Sequence, residues 1–169
     1  YEAAEKVRRT SSLRGTKYHG IVENYLKGNL EKVEKSEGLP SYLFRFARKD
    51  LDRIDNIICQ EQALYSTHIG IAGSVDCIAE FDGELSVIDF KTSAKPKPRE
   101  WIEDYFVQCA AYACMLYEMK GIMVKKFVII MTCEDGEVKV YEEYDKKKYI
   151  NLLSEYVGDF VEAKLQEYA

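Results

Sequence analysis

Long apolar runs are missing from this sequence, and nothing in its 169 residues approaches the roughly 20 consecutive apolar positions that a membrane-crossing helix requires. The N-terminus also lacks the basic, apolar and small-residue zones of a secretory signal. No membrane is expected among the partners, and the expected location is intracellular: bacterial or phage-encoded in a cytoplasm, or in an organellar matrix. The chain opens Tyr1-Glu2-Ala3-Ala4 without an initiator Met, which fits a processed or trimmed piece that has lost N-terminal residues. Closely spaced cysteine pairs are lacking too. Cys59, Cys77, Cys109, Cys114 and Cys133 are odd in number, scattered and set in apolar stretches. No zinc or iron–sulfur spacing can be read from them, and they are expected as small buried hydrophobes of a reducing compartment. Excess positive charge is absent as well. A net charge of −5 argues against holding nucleic acid by bulk electrostatics alone. Carboxylates that hold a metal would themselves make a site acidic, so local distribution matters more than the sum. Repeats, low-complexity tracts and interdomain linkers are lacking, which leaves one domain over residues 1–169. A composition of 47% apolar and 12% aromatic residues is ample for its core.

What is present is a change of periodicity along the chain. Leu13, Tyr18, Ile21, Val22, Tyr25 and Leu26 recur at helical spacing from Ser11 to about Lys27, with Ser11 or Ser12 as N-cap and Gly28 as terminator. A second helix is predicted from about Pro40 to Asn56. Leu43, Phe44, Ala47, Leu51 and Ile54 make one face of it, and Arg45, Arg48, Lys49 and Arg53 crowd the other. From Ile57 the sequence turns β-branched and aromatic, and Asp82-Gly83 is a two-residue hairpin signal. Strands are expected at about 57–67, 69–81 and 84–91, followed by an exposed loop containing Pro96 and Pro98. A mostly buried helix is expected over about 99–120, carrying Trp101, Tyr105, Phe106, Ala110, Ala113 and Leu116 and ended by Gly121. The nearly continuous apolar run 124–131 predicts a central strand. Asp135-Gly136 turns it into a fifth at about 137–143, and Asp145 caps a last amphipathic helix. The fold class is α/β (α+β), a sheet of about five strands flanked by helices.

On Val87-Ile88-Asp89-Phe90-Lys91, strand alternation puts Val87, Asp89 and Lys91 on one face and Ile88 and Phe90 on the other. Two charges on an apolar strand each need a partner or an ion. The hairpin can fold Asp76 back toward Asp89, where two carboxylates repel unless a cation lies between them. Mg²⁺ would answer that need. By itself the D-x-K triplet reads more readily as a structural ion pair, so the wider pattern has to decide.

That pattern is Gly73-Ser74-Val75-Asp76, a turn, then Ile88-Asp89-Phe90-Lys91-Thr92-Ser93. Upstream stand Arg14-Gly15-Thr16-Lys17-Tyr18-His19 with Glu23, and downstream stands Gln108-Cys109-Ala110-Ala111-Tyr112. The four motifs, in this order, resemble those of the PD-(D/E)xK nuclease superfamily, specifically its RecB-like branch. The run from Gly70 through Tyr112, with Lys95-Pro96-Lys97-Pro98, is similar to the mitochondrial genome maintenance exonucleases and their phage and bacterial relatives. Val75 stands where the superfamily's name has Pro, without removing a ligand, and no cysteine cluster is present, so no iron–sulfur cluster is expected.

The resemblance implies a restriction-endonuclease-like mixed sheet. It implies a Mg²⁺- or Mn²⁺-dependent deoxyribonuclease, an exonuclease acting at single-stranded DNA ends in replication, repair or recombination. A structure-specific or nicking endonuclease is the alternative within the enzyme class, and a catalytically silent nucleic-acid-binding module the alternative outside it. Asp76, Asp89, His19 and the Phe90 carbonyl would hold the metal. Lys91 would orient or deprotonate the attacking water, Gln108 and Tyr112 would present one helix edge to the site, and Glu61 and Glu23 would support it. For holding DNA the candidates are Arg14, Lys17, Arg45, Arg48, Lys49, Arg53, Ser93, Lys95 and Lys97, with Arg99 beside them. Tyr18, Tyr42, Phe44 and Trp101 are candidate stacking residues, although periodicity assigns Phe44 and Trp101 to the core. The helices within residues 11–56 are expected as a DNA-holding arch over a core of residues 57–169. A helicase or recombination partner follows from analogy alone, and a monomer is favoured.

Overall fold

The computed structural model describes residues 2–168, the side chains of residues 8, 10, 11 and 168 apart. Its elements are α1 (Glu2–Leu26), α2 (Leu30–Glu34), α3 (Gly38–Leu51), β1 (Ile54–Ser66), β2 (Ile71–Phe81), β3 (Glu84–Ser93), α4 (Glu103–Lys120), β4 (Lys126–Cys133), β5 (Val138–Glu143) and α5 (Lys146–Tyr168). The strands form one mixed sheet in the order β1-β2-β3-β4-β5. Only β3 and β4 pair in parallel, and α4 is the crossover such a pair requires. At the β2–β3 turn, Asp82 and Gly83 have φ of 52° and 80°, the left-handed pair that a two-residue hairpin of this hand demands.

Helices cover both faces, which explains why β4 is buried at every position. On one face Phe106, Val107 and Ala110 of α4 and Leu153 of α5 pack on Val87, Ile129 and Met131. On the other, Tyr18 and Val22 of α1 and Leu43, Phe44, Ala47 and Leu51 of α3 pack on Ile88, Phe90, Val128 and Ile130. The alternation read along β3 therefore divides its side chains between two cores. It also places Asp89 and Lys91 on the α4 side.

Several boundaries differ from the expectation. The first helix begins at Glu2, so Ser12 lies within it, its carbonyl accepting the Thr16 hydroxyl at 3.1 Å, and Ser11, whose side chain is not among those described, is helical rather than a cap. In the turns before Ser12 the described Val7 is 66% exposed, and Leu13, counted on the apolar face, is itself 56% exposed. The second expected helix stops at Leu51, and after a turn at Asp52 and Arg53 the residues from Ile54 on already belong to β1. One short helix, α2, carries no buried residue and left no apolar signal. Trp101 sits in a 3₁₀ turn ahead of α4 and is 75% exposed, against its assignment to the core. The early helices, expected as an arch, pack their apolar faces directly on the sheet. All five cysteines are free thiols, with Cys77, Cys109 and Cys133 buried. Asp145 caps α5 as expected, accepting the Lys148 N–H at 3.2 Å. Among the described residues no helix is long and apolar enough to cross a membrane.

Candidate active site

The site lies where β2 and β3 part. Their ladder runs from the hairpin as far as Cys77 opposite Ile88 and stops there. The next pair would be Asp76 and Asp89. Instead of a backbone carbonyl, the Asp76 Oδ2 receives the Phe90 N–H, at 2.9 Å. This side-chain bond satisfies the freed amide while bringing Asp76 beside Asp89. Both carboxylates are deeply buried, at 8% and 3% exposure.

Each face of the sheet contributes to the opening. From α1, His19 places Nε2 2.8 Å from the Phe90 carbonyl oxygen. Its Nδ1 lies 3.4 Å from Asp76 Oδ1 and 3.7 Å from Glu61 Oε1. With Nε2 donating to a backbone carbonyl, Nδ1 is left to face the carboxylates, and once its proton is released it has the usual arrangement of a metal-ligating imidazole. From α4, Gln108 accepts the Lys91 ammonium at 3.2 Å and donates to the Tyr112 hydroxyl at 3.0 Å. Because an ammonium can only donate, this fixes which end of the amide faces Lys91. Lys91 in turn stands 2.9 Å from Asp89 Oδ2.

The electrostatics follow from that crowding. Burial, together with the Asp76 charge, pushes the Asp89 carboxyl up to about 7, against the pull of Lys91. Burial also opposes ionisation of Asp76, but the His19 contacts and the Phe90 N–H outweigh it and hold that carboxyl below its ordinary value. For His19, burial disfavours the imidazolium. Asp76, the Phe90 carbonyl and Glu61 overcome it and raise the pKa to about 9. Lys91 is likewise raised by Asp89 in spite of its burial, so the group is an ammonium rather than a free base.

These side chains suit a divalent cation. Glu61, Asp76 and His19 offer ligand atoms that all lie within 4.8 Å of one another. Asp89 Oδ2 is buried without a directed hydrogen bond, the Lys91 ammonium being near but out of line. A carboxylate oxygen met only by an out-of-line ammonium, beside a second carboxylate and an imidazole, belongs to the kind of oxygen-rich donor set that Mg²⁺ or Mn²⁺ takes. The Phe90 carbonyl keeps one lone pair beyond the one used by His19.

Of the expected site residues, the fold thus gathers His19, Glu61, Asp76, Asp89, Phe90, Lys91, Gln108 and Tyr112. Glu61 enters through an irregular β1. The β1–β2 register shifts between Asp55 and Cys59, and Asn56 and Glu61 both have φ of 46°, in the left-handed region. Glu23, one helical turn beyond His19, pairs with Lys27 at 2.5 Å. Burial and the Asp76 charge raise the Glu61 carboxyl, and Glu23 lies near enough for its charge to help. The basic candidates are dispersed. Arg53 is held by Asp50 and Asp82 at the far end of the β2–β3 hairpin, and Arg48 lies over the Tyr25 ring. Arg14 pairs with Glu134, and Arg99 with Glu143. Lys17, Arg45, Lys49 and Lys95 are exposed. Ser93 Oγ donates to the Lys95 carbonyl at 2.7 Å within the loop after β3, and Lys97 donates to the Tyr105 hydroxyl at 3.2 Å. Tyr18, a stacking candidate, is fully buried and shares a 2.9 Å hydrogen bond with Thr132, which removes it from any DNA surface. Phe44 is core as expected, and Tyr42 is 49% exposed.

Two residues named in the sequence reading play parts in the site that it did not assign. Gly73 leaves room for Tyr112: a Cβ there would meet the tyrosine ring at 3.1 Å. Tyr105, read only as a core residue, presents its ring 4.5 Å from the Lys91 ammonium.

Fold and site together define a nuclease class, and the chain belongs to it: residues 2–167 match the model of the PD-(D/E)XK nuclease superfamily. Among curated proteins it is similar to human mitochondrial genome maintenance exonuclease 1, 33% identical over 130 residues that make up 73% of this chain and 37% of that protein. It is also similar to the Xenopus tropicalis protein of the same name, 37% identical over 102 residues, 58% of this chain and 28% of that one. The chain therefore spans little more than a third of the human relative. Among solved structures, a candidate exonuclease from Eubacterium rectale superposes with a TM-score of 0.58 over 93% of this chain and 66% of its own, at 12% identity, a likeness of fold alone.

Proposed function

We propose that the protein is a metal-dependent DNA exonuclease that hydrolyses phosphodiester bonds at single-stranded ends. The observation that carries this reading is the convergence of Asp76, Asp89 and Lys91 where β2 and β3 part. The relatives named as exonucleases support the exonuclease mode over endonuclease cleavage.

Held by Asp76, Asp89, His19 and the Phe90 carbonyl, with Glu61 alongside, Mg²⁺ or Mn²⁺ would supply Lewis-acid polarisation of a phosphate oxygen and a water acidic enough to attack it. The remaining steps belong to the chain. Asp89 fixes Lys91 at 2.9 Å, and Gln108 holds the same ammonium from the α4 side. So fixed, the ammonium orients the attacking water and neutralises charge growing on the phosphate, a role that its raised pKa suits and that proton abstraction does not. Tyr112 braces Gln108. Lys17, Arg45, Lys49, Ser93, Lys95 and Lys97 are the residues we assign to the DNA backbone, where contacts position the strand without reading its sequence. Arg14, Arg48 and Arg53 also carry usable charge, but only at the expense of their present partners. A monomer located in a cytoplasm or organellar matrix, serving replication, repair or recombination beside a helicase or recombination partner, completes the reading.

The test uses end-labelled linear single-stranded DNA with Mg²⁺ or Mn²⁺, beside a covalently closed circle, an EDTA control and Lys91→Ala. Loss of the linear substrate alone, abolished by EDTA and reduced roughly 100-fold or more by Lys91→Ala, is expected. Cutting of the circle would establish the endonuclease instead, and binding without cutting in either metal would establish a silent binding module.

A further inference from the structure

Tyr105 lies on the first turns of α4, one helical turn ahead of Gln108, and is half-buried. Two cations share its ring. The Lys91 ammonium stands 4.5 Å from the ring centroid and that of Lys97 5.6 Å, and Lys97 also donates to the Tyr105 hydroxyl at 3.2 Å. The Lys97 segment is itself tied down, since its carbonyl accepts the Tyr141 hydroxyl. Two like charges converging on one side chain repel each other, so they stay only if something holds both. The negative π face and the hydroxyl oxygen of one tyrosine do so at once.

We infer that Tyr105 is a positioning residue. Its ring face presses the Lys91 ammonium toward Asp89 and Gln108, and its hydroxyl holds Lys97 beside it as a second cation facing the substrate phosphate. This rests on the nuclease reading of Lys91 and adds to it a specific division of labour. Lys91 is held by three groups at the corners of one small space: a carboxylate, an amide oxygen and an aromatic face. Removing the face leaves the ammonium free to swing, because a lysine carries four rotatable bonds and two point contacts do not fix all of them. Removing only the hydroxyl leaves Lys91 in place and frees Lys97.

The two halves separate by substitution. Tyr105→Met keeps apolar bulk without a ring, and Tyr105→Phe keeps the ring without the hydroxyl. Tyr105→Met is expected to lower kcat for single-stranded DNA about 10-fold, with thermal stability and KM little changed. Tyr105→Phe is expected to retain kcat and raise KM by a few-fold, as is Lys97→Met, which leaves the ring untouched. In the DNA-free protein, NMR should show the Lys91 ε-methylene protons shifted upfield by the ring, an effect kept in Tyr105→Phe and lost in Tyr105→Met. Equal kcat in wild type and Tyr105→Met, or an upfield shift that survives loss of the ring, overturns the inference while the nuclease reading stands. A wild-type protein that cuts no DNA although the upfield shift is present overturns the nuclease reading, and with it any catalytic use of this geometry.

Discussion

Asp89 is buried between a carboxylate that repels its charge and an ammonium that attracts it, and burial and repulsion win. Its carboxyl sits near 7 in the folded protein against about 4 in an unfolded chain. Folding therefore favours the protonated form. The stability this group contributes is fully present below about pH 4 and is lost as pH rises through 7. His19, raised to about 9, works in the same direction, its contribution disappearing as pH climbs from 6.5 through 9. In EDTA, Asp89→Asn should accordingly melt at a higher temperature than wild type at pH 8, with the gain shrinking toward pH 5, while cleavage is lost. A variant that melts lower than wild type at pH 8 would show that the Lys91 contact outweighs the burial of the charge. A gain of stability with loss of activity is the usual mark of a group retained for chemistry.

Among the elements, β2 does the most to shape the site. Up to Cys77 it is an ordinary hairpin partner; beyond, it leans away from β3 and places Gly73 under the Tyr112 ring. Gly73→Ala would require that ring to move by a few tenths of an ångström, and the ring is linked through Gln108 to Lys91. A stability loss of about 1–2 kcal/mol is expected from the overpacking, with a larger proportional loss of kcat than of DNA binding. Denaturant melts and steady-state kinetics check it, and unchanged kinetics would show that Tyr112 packs without positioning Gln108. The faces of β3 were legible in the sequence because alternation is a property of any strand, and Asp89 and Lys91 fell where alternation put them. The part of α1 before Ser12 was not legible, because helical periodicity is visible only where one face is buried. Glu61 could be named from the sequence as a supporting acid, but its place opposite His19 depends on a register shift and a positive φ that no local pattern announces. Tyr105 was hidden for the opposite reason: an aromatic at helical spacing reads as core, and only the fold shows that its face meets an ammonium.

At the scale of the whole molecule, the site joins both helical layers through the sheet. His19 comes from the layer formed by α1 and α3, and Gln108 and Tyr112 come from α4 on the other side. A cation bound by His19, Asp76 and Asp89 therefore ties α1 to the strands, and it should raise the melting temperature as any ligand of the native state does. At a free concentration of 100 times its dissociation constant the gain is about 2.7 kcal/mol, several degrees for a protein of this size. Mn²⁺ titration of wild type and Asp76→Asn, followed by thermal melting, checks it. An equal shift in both proteins would place the binding elsewhere.

Because the Phe90 amide is hydrogen-bonded to the Asp76 side chain, its exchange with solvent deuterium is tied to what that carboxylate does. The Asp89 amide, which by strand alternation faces β4 in the parallel ladder, should exchange only on larger openings of the sheet. One backbone proton thus acts as a reporter placed by the fold at the centre of the site. Following it alone by NMR would tell when Asp76 has let go of the strand, before any substrate has been added.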